Sequence, residues 1–182
     1  GLFKFEGDYY FAKYNGKLVT NQVCGTYSYS DCDLPNGRYE FGADGKMLQG
    51  IVEKDGVLYY YENGKTVEKG LFKLGDDYYF AQYRGVIVTN QVFGTYLSNC
   101  DLPNGKYEFG ADGKMLQGIV DKGGVLIYYE NGKAKEKGLF KLGDDYYFAR
   151  YNGVLAVNQT CGTYSLSDCD LPNGRYEFGA DG

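Results

Sequence analysis

The 182 residues carry 19 Lys and Arg against 24 Asp and Glu, a net charge of −5 with a pI near 4.8, so the clustered cations that grip nucleic acid or an anionic membrane are missing. Histidine is absent, which removes Ser-His-Asp and Cys-His nucleophiles and every histidine metal site. Glycine supplies 28 residues, Tyr 21 and Phe 11; the apolar content is too high for disorder, and no run reaches the roughly 18 apolar residues that insert in a membrane.

Along the chain, Gly1-Leu2-Phe3-Lys4 opens a repeat that returns at Gly70-Leu71-Phe72-Lys73 and at Gly138-Leu139-Phe140-Lys141. This gives one continuous array of copy 1 (1–69), copy 2 (70–137) and a shorter copy 3 (138–182). The chain opens on Gly1 without a Met or leader, as an excised fragment or mature form does. Copy 3 stops inside an element that runs on in both earlier copies, so the array is expected to continue with a frayed end.

Each full copy holds three short units, in copy 1 residues 1–22, 25–49 and 50–69. Asn15-Gly16, Asn36-Gly37, Asp44-Gly45, Asp55-Gly56 and Asn63-Gly64 are the dipeptides that two-residue type I′ hairpins want, since both central residues need positive φ. Between them lie Tyr9-Tyr10-Phe11, Tyr39-Glu40-Phe41 and Leu58-Tyr59-Tyr60-Tyr61, strand-favouring runs too short for a helix. No stretch keeps a 3.6-residue period, so no substantial helix is expected. A unit this small cannot bury its own apolar face and must stack on its neighbours. The expected fold is all-β, an elongated β-solenoid of stacked β-hairpin repeats.

The segment Gly50 to Lys65, with a Gly, a short strand, a turn, paired aromatics and Asn-Gly-Lys, resembles the cell-wall-binding or choline-binding type of β-hairpin repeat. That superfamily includes glucan-binding repeats and the C-terminal repeats of clostridial toxins. Tyr9-Tyr10, Tyr78-Tyr79, Tyr128-Tyr129 and Tyr146-Tyr147 extend the likeness over essentially the whole chain. It implies a non-catalytic, extracellular hairpin solenoid that holds a polymeric glycan or choline between successive hairpins. Two departures stand out. There is no Trp, the strongest cation-binding face, and Leu2, Ile51, Leu71, Ile119 and Leu139 follow the opening glycines, which points away from choline. The insertion from Ser28 to Asn36 is not a feature of that superfamily.

Strand alternation sends one of each adjacent aromatic pair to the outer face or into a groove, while most strand aromatics fill the core. Tyr10, Tyr39, Tyr60, Tyr79, Tyr107 and Tyr129 are the expected outward, ligand-stacking members. Given the extracellular likeness, Cys24-Cys32 and Cys161-Cys169, at matching positions and spacing, read as local disulfides. In copy 2 Phe93 replaces the first cysteine, leaving Cys100 as a free or inter-chain thiol. Asp31 with Asp33, and Asp168 with Asp170, carry oxygen donors at calcium-like spacing, with a solvated turn as the default; otherwise no cofactor is expected. Glu40, Glu108 and Glu177 recur once per copy, unlike a catalytic carboxylate pair, so no enzyme activity is expected. Asn158 begins the only glycosylation sequon of the three copies, usable in a eukaryotic secretory pathway.

The expected function is extracellular attachment, by multivalent binding of a surface glycan or polysaccharide through tyrosine-lined grooves. The alternative is a structural adhesive or matrix protein whose Tyr-rich repeats self-associate through open repeat ends. A more distant one is the receptor-binding arm of a toxin.

Overall fold

A computed structural model describes residues 1–26, 30–163 and 167–182; Ser28 and Tyr29 of the insertion lie outside the described residues. The chain is all-β, and among the described residues its helices are two single 3-10 turns, Tyr83–Gly85 and Tyr151–Gly153. Among the described residues no helix is long and apolar enough to cross a membrane. Contacts divide the chain into unit 1, Gly1–Val88 with Tyr96–Asn104, and unit 2, Thr89–Thr95 with Gly105–Gly182.

In unit 1, β1 (Leu2–Phe5) and β2 (Asp8–Phe11) form an antiparallel hairpin, and β3 (Gln22–Gly25) pairs across the insertion with β5 (Arg38–Phe41). Between them β4 (Ser30–Asp31) runs back to lie parallel to β1. Strands β6 (Gly50–Lys54), β7 (Val57–Glu62) and β8 (Lys65–Thr66) make a meander, followed by the hairpin β9 (Gly70–Leu74) and β10 (Asp77–Ala81). Unit 2 repeats the plan. β11 (Gln91–Gly94) pairs with β12 (Lys106–Phe109), and β13 (Gly118–Asp121), β14 (Leu126–Glu130) and β15 (Lys133–Ala134) form the meander. β16 (Gly138–Leu142) and β17 (Asp145–Ala149) form the next hairpin, and β18 (Gln159–Gly162) pairs with β20 (Arg175–Phe178). β19 (Ser167–Asp168) lies parallel to β16, as β4 does to β1. The insertion thus covers a hairpin edge that would otherwise present unpaired backbone groups.

The turn chemistry holds where two residues join consecutive strands. Asp55 (φ 51) with Gly56 (φ 77), and Asn63 (φ 46) with Gly64 (φ 66), are positive at both positions. Asn15-Gly16 and Asp44-Gly45 are positive at the glycine alone, and Asn36-Gly37 at neither. These three sit in wider returns, so the two-residue hairpin expected of them is corrected. Gly37 closes the neck of the insertion: its N–H donates to Thr26 Oγ1 (3.1 Å), while Thr26 N–H and Oγ1 donate to its carbonyl (2.7 and 3.1 Å). Thr163 and Gly174 repeat this clamp, and Thr95 and Gly105 do the same for the second insertion.

Aromatic rings do much of the packing that aliphatic side chains do in larger domains. In unit 1 one buried cluster joins Leu2, Val19, Tyr39, Phe41 and Met47, and another joins Tyr60, Phe72, Tyr79, Ala81 and Ile87. Unit 2 has Tyr128, Phe140, Ala149 and Leu155 in one cluster and Leu139, Ala156 and Phe178 in another.

The two expected disulfides are not present, since all five cysteines are free thiols. Cys24 faces Tyr39 across β3 and β5, and Cys161 faces Tyr176 across β18 and β20. Cys24 and Cys32 pack on the first cluster, and Cys161 and Cys169 on the cluster of Phe178. Each acts as a small apolar filler, and the loop neck is closed by the threonine clamp instead. Phe93 faces Tyr107 in the same register, so its replacement of cysteine preserves packing. Cys100 is half-buried, its Sγ 3.6 Å from Ser98 Oγ. Five thiols are expected to react with a thiol reagent in denaturant without prior reduction, and reductant should leave the thermal midpoint unchanged. A reactive count of one would restore both bridges.

Candidate functional site

Five of the six tyrosines expected to face outward are interior: Tyr39 is 2% exposed, Tyr60 8%, Tyr79 7%, Tyr107 2% and Tyr129 3%. Only Tyr10 is half-exposed, stacked on Phe3 with ring centroids 5.7 Å apart. Strand alternation does send neighbouring side chains to opposite faces. Both faces are nevertheless covered, because Tyr60 and Tyr61 are both buried, as are Tyr128 and Tyr129. Among the described residues the most exposed aromatic rings, ahead of Phe5 (58%) and Tyr96 (55%), are Tyr14 (109% exposed), Tyr83 (70%) and Tyr151 (76%), at the same turn of each copy. Their sequence signal is a tyrosine two residues before a turn glycine, as in Tyr14-Asn15-Gly16.

That turn is held tightly in unit 1. Gly85 N–H donates to Gln82 O (2.9 Å) and Gln82 N–H to Val86 O (2.8 Å). Gly85 has φ +73, and a Cβ there would sit 2.7 Å from Tyr60 O, so only glycine lets the turn approach β7. Val86 bridges to Tyr59, which brings the turn alongside the meander.

Between these elements lies an open groove of about 550 Å³ lined by Glu40, Lys54, Tyr59, Tyr61, Thr66 and Arg84, with Asp55 and Val57 at the hairpin end. Tyr61 OH donates to Glu40 Oε2 (2.9 Å), Lys54 Nζ donates to Glu40 Oε1, and Lys54 Nζ lies 3.4 Å from Tyr61 OH. Burial and the Glu40 hydrogen bond push the Tyr61 phenol up, and the same carboxylate raises Lys54. Unit 2 repeats the trio: Tyr129 OH donates to Glu108 Oε2 (2.7 Å) and Lys122 Nζ to Glu108 Oε1 (2.7 Å). Burial opposes ionisation of Glu108, yet the Lys122 and Tyr129 hydrogen bonds together hold it below its ordinary value. Ile127 and Asn152 occupy the positions of Tyr59 and Arg84.

A second arrangement stacks Tyr60, Phe72 and Tyr79, with centroids 4.5 and 5.9 Å apart in sequence. The face of Tyr60 carries the protein's own Lys69, 5.9 Å from the centroid and tied to Glu62 Oε1 at 2.5 Å. In unit 2 Tyr128, Phe140 and Tyr147 stack at 4.4 and 5.8 Å, with Lys137 over Tyr128 at 5.5 Å and over Phe140 at 5.8 Å. These cation-receptive faces are thus filled from within.

The acidic loops fasten the insertion. Asp33 accepts from Tyr9 OH (2.7 Å), Asp101 from Tyr78 OH (2.9 Å) and Asp170 from Tyr146 OH (2.9 Å), and Asp168 pairs with Lys137 at 3.2 Å. The hydrogen bond from Tyr9 lowers the Asp33 carboxyl and that from Tyr146 lowers Asp170. Asp31 lies on β4, and among the described residues no three acidic or cysteine side chains converge as a cation site requires. Asn158 is exposed with φ 48, matched by Asn21 (φ 48) and Asn90 (φ 51), and its N–H donates to Gly179 O at 2.8 Å. Its asparagine is the turn residue of every copy.

No family model matches the chain, and no curated protein sequence matches it. Among solved structures it is similar to choline binding protein F from Streptococcus pneumoniae, at 25% identity and a TM-score of 0.41 over 87% of this chain and 52% of that one. CbpJ from the same organism is similar at 26% identity and a TM-score of 0.30, over 87% of this chain and 59% of that one. The modular autolysin LytC, also from Streptococcus pneumoniae, is similar at 17% identity and a TM-score of 0.42, over 83% and 32%. The chain spans about half the length of the first of these.

Proposed function

We propose that this chain is a non-catalytic extracellular attachment module that holds a surface glycan in its grooves. The observation that supports this reading is the groove that sets the Tyr59 ring beside the pre-tied Glu40, Lys54 and Tyr61. A sugar presents hydroxyls that both donate and accept, and an apolar ring face. Glu40 keeps acceptor lone pairs, Lys54 keeps N–H donors, and the aromatic ring takes the apolar face. Because the trio is already hydrogen-bonded, little side-chain freedom is lost on binding. Unit 2 carries a second trio with Ile127 in place of the Tyr59 ring, so it offers the polar contacts alone, and a second, weaker site joined in one chain raises avidity without a new contact.

A glycosidase acid needs a carboxyl raised toward neutrality, whereas Glu108 is held below its ordinary value, which favours binding over hydrolysis. The test is retention of the chain on a panel of immobilised polysaccharides, with sedimentation of the same sample. We expect saturable retention by one glycan class, weakened about tenfold by Tyr59→Ala or Glu40→Gln. A calcium chelator should not change it, since Asp33 and Asp170 already accept from tyrosines. No retention, with assembly growing with concentration, would put a self-associating structural protein in its place.

A further inference from the structure

The wall of the unit 1 groove contains one residue whose backbone is costly where it sits. Arg84 has φ 60 and ψ 22, in the left-handed region, at the position filled by Asn15 in copy 1 and by Asn152, with φ 56 and ψ 26, in copy 3. Asparagine tolerates that conformation because its short side chain bonds locally; arginine has no such compensation. The side chain is exposed, and its guanidinium carbon lies 5.4 Å from the centroid of the exposed Tyr83 ring. A guanidinium held over an aromatic face by cation–π attraction still has N–H donors to offer, and its planar fork can meet a carboxylate with two parallel hydrogen bonds.

The charges of the groove give the second argument. Glu40 and Lys54 neutralise each other, which leaves Arg84 and Asp55. Neither makes an ion pair among the described residues. A ligand that satisfies both offers an anion to Arg84 and hydroxyl donors to Asp55. A neutral sugar lacks the first, and a densely sulfated one lacks most of the second.

Building on the glycan reading above, we infer that the unit 1 groove selects a carboxylated saccharide, with Arg84 as the residue that takes the carboxylate. The corresponding position of unit 2 holds Asn152, so this preference belongs to unit 1 alone.

The test titrates the full chain with oligogalacturonate and sialyllactose, each against its own methyl ester, and with dextran sulfate. Arg84→Asn installs the residue of the other two copies and, by relieving the left-handed backbone, is expected to hold or raise the thermal midpoint. We expect one acid form to bind about tenfold more tightly than its ester, the preference to vanish in Arg84→Asn, and Arg84→Lys to keep only part of it. Esters that bind as well as the acids, or a preference that survives in Arg84→Asn, would overturn the carboxylate assignment and leave the glycan reading standing. Dextran sulfate bound more tightly than either acid, with the same Arg84 dependence, would also overturn it, in favour of a plain anion site. Binding of none of these, together with no retention on the polysaccharide panel, would sink both readings.

Discussion

Phe140→Ala is expected to cost about 3–5 kcal/mol of folding stability, read as a shift in the denaturant midpoint without loss of slope. Phe140 is buried on β16 between the rings of Tyr128 and Tyr147, 4.4 and 5.8 Å away, and the Lys137 ammonium lies over it, 5.8 Å from the centroid. The cluster around it also holds Ala149 and Leu155, and packed neighbours relax only in part around a deleted ring, so the change leaves a cavity as well as losing ring burial. Phe72 in unit 1 stands in the same surroundings, between Tyr60 and Tyr79, and its alanine variant should cost about the same. Phe3 is the sequence counterpart of both in copy 1, yet it is half-buried and, among the described residues, stacks on Tyr10 alone. Phe3→Ala should therefore cost clearly less, roughly 1–2 kcal/mol. A loss at Phe140 no larger than at Phe3 would show that the three-ring stack is not what stabilises unit 2. Total stabilities of small domains are of order 5–15 kcal/mol, so the Phe140 variant should populate unfolded chain under mild conditions.

The hairpins were legible because their signals are local. Asp55-Gly56 and Asn63-Gly64 sit directly between strand-forming runs, and both residues of each take positive φ. Glu6 (φ 50) and Gly7 (φ 90) make the same turn from a dipeptide that is not a turn signature, since the pairing of β1 with β2 fixes it. What was illegible depends on neighbours in space. A period of two assigns Tyr60 and Tyr61 to opposite faces, but says nothing of how many faces are covered, and here both are. The paired change at Phe93 and Cys100 looks the same whether cysteine bonds to cysteine or packs against a tyrosine; here the cysteines are free, and Phe93 faces Tyr107 in the register in which Cys24 faces Tyr39. The groove trio draws its members from three separate strands or strand ends. Glu40 is 21 residues from Tyr61 and 14 from Lys54, and the same separations join Glu108 to Tyr129 and Lys122. That repeated offset is present in the sequence, but its meaning needs the registers of β5 with β3 and of β6 with β7. Tyr83 and Arg84 stand where copy 1 has Tyr14 and Asn15 of its Asn-Gly turn, and it is the left-handed backbone of Arg84 that marks this copy of the turn.

The stability of the chain should form a plateau in pH bounded on the alkaline side by its buried phenols. Burial, then the hydrogen bond to Glu62, pushes Tyr60 up to about 12 from an ordinary value of 10. Burial is also the leading cause of the rise at Tyr61, Tyr128 and Tyr129. A group whose pKa is higher in the folded state than in the unfolded chain contributes stability that is complete below the unfolded value and is lost as pH climbs through the folded one. The denaturant midpoint should therefore hold up to about pH 10 and fall steeply from there to about 12. The acid limb has the opposite sign. Hydrogen bonds from Lys135 and then Lys137 bring Glu130 down to about 2 from an ordinary 4.5, so its contribution is complete above 4.5 and is lost as pH falls toward 2. Glu62 is lowered in the same sense by Lys69. The two limbs can be separated by substitution: Tyr60→Phe with Tyr128→Phe removes two of the raised phenols and should flatten the alkaline fall, while Glu130→Gln should flatten the acid one. Tyrosinate absorbance followed alongside the unfolding curve gives the check, because the buried phenols should ionise only as the midpoint drops. An alkaline limb that the double phenylalanine variant leaves unchanged would mean that these tyrosines titrate freely in the folded chain, and that the aromatic stacks around Phe72 and Phe140 admit water.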